Sequence, residues 1–268
     1  MNIHEYISGI KGEKPLDRIV TDGGFTAIFR TIACIGDSLS SGEFESVGMD
    51  GKRGYHDYYQ YSWGQFIGRS CGSKVYNFSK GGMTAKEYVE TFAIDNGFWD
   101  KDKLCQAYII ALGVNDVKQH PENYPIGSID DVCKEDYTKN NKTFAGYYAY
   151  IIQKIKEIQP RAKIFLVSMP SEGAENDEKR KPVRELFEKY VKLFDNTYLI
   201  DLFNYAPTYD AEFKDKFFLG HMTPTGYVLT ARMIESYIDY IIRQNPHEFS
   251  QVGFIGTDLY FRKEEDKR

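Results

Sequence analysis

Apolar residues along this chain follow two rhythms. Short unbroken runs at Thr31 to Ile35, Val75 to Phe78, Tyr108 to Leu112, Lys163 to Val167 and Thr197 to Asp201 read as strands covered on both faces. Between them the spacing changes to three and four. Phe144, Tyr147, Tyr148, Ile151, Ile152, Ile155 and Ile158 mark one face of a helix that Pro160 ends. Val183, Leu186, Phe187, Tyr190, Val191 and Phe194 mark another, over about 178–194. Shorter helices are predicted from Trp63 to Cys71, where Gly72 stops the turn, and from Thr84 to Phe92. The last helix starts near Pro224, with Thr223 as its cap, and runs to about Arg243.

Strand and helix alternate, and each crossover is long enough to hold a helix. That pattern predicts a parallel sheet with helices on both faces. The main domain is expected over 29–244. Residues 1–28 read as a leader packed on it, with a short edge strand at Phe25 to Arg30. Residues 245–268 read as a tail in which Val252 to Ile255 pack and Glu264 to Arg268 fray. Residues 117–142 are polar, with Pro121, Pro125 and Gly127, and form either a lid or a solvated insertion with a short helix near Asp130 to Asp136.

In sheets of this kind ligands bind beyond the C-terminal ends of the strands. Ser38, Gly82 and Asn115 each follow a strand directly, so all three fall on that rim. A serine there can act as a nucleophile if a base takes its proton and donors receive the developing oxyanion. The N–H of Ser38, the N–H of Gly82 and the carboxamide of Asn115 are three such donors. Asp37, Asp116 and Asp201 read as braces of their own turns.

Composition narrows the class further. The net charge of -5 and the dispersed basic residues argue against nucleic acid as a partner. No apolar stretch reaches membrane-spanning length, so no membrane insertion is expected. The four cysteines form no CxxC pair, and Cys34 and Cys105 read as reduced packing residues in a cytoplasmic protein. No metal-ligand spacing and no phosphate-binding glycine loop is present, so the chemistry is expected to need no cofactor. Tyrosine is abundant, with 21 residues. Tyr58 and Tyr59, in the run from Tyr55 to Trp63, are candidates to stack on a sugar; packing into the body is the alternative.

Four blocks occur in order: Gly36-Asp37-Ser38-Leu39-Ser40, Asn77 to Thr84 with Gly81 and Gly82, Gly113-Val114-Asn115-Asp116, and Gly220-His221-Met222-Thr223-Pro224. Together they resemble the GDSL, or SGNH, family of serine esterases. The resemblance implies a flavodoxin-like three-layer α/β/α sandwich with a five-stranded parallel sheet. It makes Ser38 the nucleophile, His221 the base, and Ser38, Gly82 and Asn115 the oxyanion site, with Gly81 the other reading of the glycine. His4, His56, His120 and His247 fit no block.

The sequence departs from the family three residues before the histidine, where an aspartate is usual and Phe218 stands instead. Phenylalanine cannot accept the imidazole proton. Either a backbone carbonyl orients His221 or Asp215, six residues upstream, reaches it. The expected activity is hydrolysis of carboxylic esters through an acyl-enzyme, on short acyl groups of a carbohydrate or another small ester. A lysophospholipid or acyl-thioester substrate, or a non-catalytic binding role on the same fold, is the alternative.

Overall fold

The computed structural model describes residues 3–8, 12–119 and 125–261. Five of its strands form one parallel sheet: β1 (Thr31–Gly36), β4 (Lys74–Ser79), β5 (Ala107–Ala111), β6 (Lys163–Val167) and β7 (Thr197–Ile200), in the order β4-β1-β5-β6-β7. These are the five apolar runs, moved by a residue or two at their ends. β1 lies between β4 and β5, so strand order reverses beside it, and a parallel sheet opens its ligand crevice at such a point. The three-layer flavodoxin-like arrangement expected from the sequence is the one found.

Each face of the sheet has its own core. Ala33, Ile35, Phe78, Tyr108, Ile110 and Ile164 meet the helices Phe144–Ile158 and Ala174–Leu193, through Tyr148, Ile152 and Phe187. Ile32, Cys34, Ile109, Phe165 and Ile200 meet Trp63–Cys71 and the 21-residue helix Pro224–Gln244, through Trp63, Ile67, Tyr237 and Ile241. Alternate residues of one strand therefore serve opposite cores, which explains why the strands carry no polar face.

Two further pairs lie off the sheet. β2 (Glu43–Val47) and β3 (Arg53–Asp57) make an antiparallel hairpin, with Glu43 opposite Asp57 and Val47 opposite Arg53. β8 (Phe218–Leu219) and β9 (His221–Met222) form a tight pair that turns at Gly220, whose φ is +75°. The hairpin was not expected from the hydrophobic pattern.

The segment before β1 forms a 3-10 turn over Gly24–Ile28 rather than the expected edge strand. Its polar groups go to the last helix instead of a sheet edge: Val20 N–H donates to Ser236 Oγ, Phe25 N–H to Asp239 Oδ1 and Thr26 Oγ1 to the Glu235 carbonyl. The predicted helix at 84–92 runs on to Asp95 through a π-helical turn at Tyr88–Phe92. Of the polar insertion, residues 125–142 are pinned by Asp131, which accepts from Ser128 N–H, Thr143 Oγ1 and Asn141 Nδ2. Residues 120–124 of that insertion, with His120 and Pro121, and the end at Glu264 to Arg268 lie outside the described residues.

Arg243 ties the leader to the last helix through buried ion pairs. Its guanidinium, 2% exposed, reaches both Glu13 oxygens at 2.6 and 2.8 Å and Asp239 Oδ2 at 2.7 Å. Removing the cation leaves two buried carboxylates unpaired, which costs about 3–5 kcal/mol. Arg243→Met is therefore expected to lower stability by about that amount in urea titration. A change below 1 kcal/mol would refute the assignment.

Candidate active site

Three turns meet at the C-terminal rim. The first leaves β1 at Gly36, where a Cβ would overlap the Ser40 side chain, so only glycine lets the chain bend so sharply into the next helix. Asp37 caps that helix, its Oδ1 accepting from Leu39 N–H at 3.1 Å, and Ser38 is its first residue. Ser38 is half-buried, and its N–H, in the first turn of a helix, has no carbonyl four residues back to bond. The second turn closes by Met83 N–H donating to the Lys80 carbonyl at 3.3 Å, with Gly82 at φ +74°. A turn with a left-handed third residue favours glycine there. The third begins at Gly113, φ +131°, and puts Asn115 in the first turn of the helix Val114–Gln119.

Asn115 ties the three turns together. Its Nδ2 donates to the Met83 carbonyl at 3.1 Å and lies 3.5 Å from Asp37 Oδ2. The neighbouring Asp116 accepts from Ala85 N–H at 2.9 Å and so fixes the helix that follows the second turn.

His221 sits in β9, just before the Thr223 cap and Pro224 that start the last helix. Its two ring nitrogens face two carboxylates from one strand: Nδ1 is 3.0 Å from Glu45 Oε1 and Nε2 is 3.2 Å from Glu43 Oε1. Side chains two apart on a strand share a face, which puts Glu43 and Glu45 on the imidazole side of β2. Phe44 points the other way, into a cluster with Tyr58, Tyr61 and Tyr227, ring centroids 5.4 to 6.0 Å apart. Tyr227 OH also donates to the Glu43 carbonyl at 2.7 Å, and Ser41 Oγ holds Asp57 at 2.6 Å across the hairpin. No hydrogen bond joins His221 to Ser38.

This corrects the expected partner of His221. Neither a backbone carbonyl nor Asp215 meets Nδ1; Asp215 is exposed on the helix Ala211–Phe217, with no bond to His221. Phe218 instead packs with Tyr209 and Phe213. Glycine at position 220 is what lets Glu45 in, because a Cβ there would overlap the Glu45 carboxylate. Gly81 does the same for Glu43: a Cβ at 81 would strike Glu43 Oε2.

The remaining candidates fall in two places. Tyr59 is turned inward, its OH donating to the Val75 carbonyl near the start of β4, at the opposite end of the strand from the rim; this removes it from a stacking surface. Tyr58 is 51% exposed and stacks loosely on Phe44 and His56. Tyr55, the first residue of the aromatic run, stands edge-on to His221 with ring centroids 6.3 Å apart and is 60% exposed. Asp201 is a brace, as read: it accepts from Arg184, Asn204 and Ser168. A cavity of about 280 Å³ opens beside Ser38, Asn115 and His221 and runs inward past Trp63, Tyr209 and Ile234.

The sequence profile of the GDSL-like lipase/acylhydrolase family matches residues 34–229. The chain belongs to this family. It is accordingly an ester-hydrolysing serine hydrolase by family membership. No curated protein matches the sequence. Among solved structures, the fold is similar to a family two carbohydrate esterase from Clostridium thermocellum in complex with cellohexaose, at 18% identity and TM-score 0.53, over 89% of this chain and 67% of that one. It is also similar to a family two carbohydrate esterase from Cellvibrio japonicus, at 14% identity and TM-score 0.54, over 80% of this chain and 61% of that one. A third likeness is to a protein from Lactobacillus plantarum, at 14% identity and TM-score 0.55, over 79% and 97%. The chain thus spans roughly two thirds of the length of these two family two carbohydrate esterases. At these identities the likeness is one of fold.

Burial dominates the charge state of Asp37. Full desolvation pushes its carboxyl up to about 7, against the Leu39 N–H that favours the anion. A carboxyl with a higher pKa folded than unfolded takes up a proton on folding. Its contribution to stability is fully present below about pH 4 and is lost as the pH rises through 7. Asp37→Asn is expected to be about 1–3 kcal/mol more stable than the parent at pH 8, with little gain at pH 4. Urea midpoints at the two pH values measure this, and an equal difference at both would exclude it.

Proposed function

We propose that this protein hydrolyses carboxylic esters through an acyl-enzyme, and that its natural substrates are short acyl groups carried on a carbohydrate. The observation that carries the reading is the placement of Glu45 against His221 Nδ1 in the same cleft as Ser38 and Asn115. Nδ1–H donated to Glu45 fixes the tautomer that leaves Nε2 as the proton acceptor. On substrate binding, Nε2 leaves Glu43 and takes the Ser38 proton while Ser38 Oγ bonds to the ester carbon. Catalytic hydrogen bonds of this kind are often long in the free enzyme and tighten with substrate.

The carbonyl oxygen becomes an oxyanion received by Ser38 N–H, Gly82 N–H and, on reorientation, the Asn115 carboxamide. The carbon–alkoxide bond then breaks, and His221 returns the proton to the departing alcohol. In the second half, His221 removes a proton from water as the water bonds to the acyl carbon, and Ser38 leaves with that proton. Every step is a proton or acyl transfer among these residues, the ester and water.

The carbohydrate part of the proposal is supported by the fold shared with carbohydrate esterases and by the exposed Tyr55 beside His221. Flat aromatic faces suit the apolar faces of sugar rings.

Two experiments test the reading. Ser38→Ala and His221→Ala are expected to abolish turnover of p-nitrophenyl esters. Glu45→Ala is expected to lower kcat about a hundred-fold with KM little changed, because an acid that orients a base acts on the chemical step. Glu45→Gln, whose carbonyl can still accept Nδ1–H, restores part of that loss, and Asp215→Asn has no effect. Equal activity in Glu45→Ala and the parent would overturn the role of Glu45. Second, Tyr55→Ala is expected to raise KM for an acetylated oligosaccharide about ten-fold while leaving a p-nitrophenyl ester untouched. Equal effects on both substrates would remove the stacking role.

A further inference from the structure

A second groove, of about 390 Å³, runs along the β2–β3 hairpin and is lined by Glu45, Ser46, Val47, Arg53, Leu219 and Gly220. Gly220 also lines the cavity beside Ser38, so the groove begins where Glu45 meets His221. Residues directly opposite in an antiparallel pair share a face, and so do alternate residues of one strand. Glu43 with Asp57, Glu45 with Tyr55 and Val47 with Arg53 are therefore three successive rows of one face. It is the face turned to the imidazole, as the contacts of Glu43, Glu45 and Tyr55 with His221 show. In the mechanism above His221 protonates the departing alcohol, so the alcohol half of the substrate must lie against this ring. The groove starts there.

Charge changes sign along these rows. The inner two carry Glu43, Asp57 and Glu45, and each carboxylate is engaged: the glutamates by the two His221 nitrogens, Asp57 by Ser41 Oγ at 2.6 Å. The outer row carries Arg53. Its neighbour Lys52 is paired with Asp50 at 3.4 Å, whereas the exposed Arg53 guanidinium has no ion pair or hydrogen bond with any described residue. A guanidinium presents a rigid fork of donors that matches a carboxylate, and this one is left open at the end of a groove. Arg53 lies two residues from Tyr55 along β3, a step of about 7 Å. A group held by Arg53 is therefore clear of the ester itself and belongs to a more distant part of the alcohol.

We propose that the alcohol half of the substrate lies in this groove and that Arg53 selects one bearing a carboxylate, an acidic sugar over a neutral one. The proposal rests on the esterase and carbohydrate readings above and deepens them by naming the charge of the sugar. Tyr55 takes the face of the ring, and the carboxylate reaches Arg53 in the outer row. The reverse orientation is disfavoured, because it sets the carboxylate against Glu43, Glu45 and Asp57. The face thus fixes the direction of the ligand as well as its charge.

The test measures acetate release by the full chain from an acetylated methyl glucuronoside, glucoside and glucosaminide, which carry an anion, no charge and a cation. The glucuronoside is expected to exceed the glucoside in kcat/KM about five-fold at low salt, the upper end for a solvent-exposed ion pair, and mostly through KM. The advantage should shrink in about 0.5 M sodium chloride. Arg53→Gln should bring the ratio to about one and Arg53→Lys should keep part of it, while Lys52→Gln should leave it unchanged. Labelling of Ser38 by a fluorophosphonate checks that each variant is folded. Equal turnover of glucuronoside and glucoside by the parent, or a ratio that survives in Arg53→Gln, overturns the selection by Arg53. Fastest turnover of the glucosaminide shows that the carboxylates dominate the groove and overturns it too. Turnover of p-nitrophenyl acetate with none of the three glycosides overturns the carbohydrate reading and this proposal, and leaves the esterase reading intact. Absence of turnover on every ester, with no Ser38 labelling, overturns the esterase reading itself.

Discussion

A two-residue repeat along a five-residue strand governs the geometry of this site. Because side chains on β2 alternate, seating Phe44 among Tyr58, Tyr61 and Tyr227 aims Glu43 and Glu45 together at His221. The aromatic contacts supply the energy, at about 0.5–1.5 kcal/mol per pair beyond burial, and the carboxylates are carried along. Neither glutamate has to fund its own placement. The same logic accounts for the two glycines that face them. Gly220 and Gly81 are the positions where a Cβ would collide with Glu45 and Glu43, so the hairpin and the two rim turns fit one another only with glycine there.

Much of this was legible in the sequence because it rests on local rules. An unbroken apolar run means a strand buried on both faces, and five such runs separated by helical periodicity leave little choice of fold. Ser38, Gly82, Asn115 and His221 stand directly after a strand or before a helix cap, so their neighbours in sequence announce them. Glu45 has no such neighbour. It lies 176 residues from the histidine it faces, on a short hairpin whose outward residues are polar on one side and mixed on the other. A strand without an apolar face leaves no period to detect. Asp50-Gly51, between the two strands, was the one local hint of a turn. Phe218 stands at the family's usual acid position, and the carboxylate that meets Nδ1 comes from across space rather than from Asp215 nearby in the chain.

The edge strand read at Phe25 to Arg30 failed for a related reason. The segment is held on the last helix instead, Phe25 N–H donating to Asp239 Oδ1 and Thr26 Oγ1 to the Glu235 carbonyl. Backbone donors need partners, but not partners of a particular kind. Sequence periodicity cannot tell which element will provide them.

The arrangement of His221 between two carboxylates sets a condition on any chemistry there. If both glutamates were ionised against an imidazolium, freeing Nε2 for Ser38 would mean breaking an ion pair of about 4–5 kcal/mol at an effective dielectric of 20. That is a large fraction of what substrate binding can spare. Burial lifts the Glu43 carboxyl above its ordinary range, while the nearby imidazole pulls it back down. Desolvation is the larger of the two effects, so Glu43 takes a proton more readily than a surface glutamate. In its protonated form Glu43 holds Nε2 by a hydrogen bond alone, worth about 1 kcal/mol net, which is far less to break than the ion pair. On the proposed reading of His221 as the base, a protonated Glu43 occupies Nε2 in the free enzyme without locking it there, and burial of Glu43 favours that form.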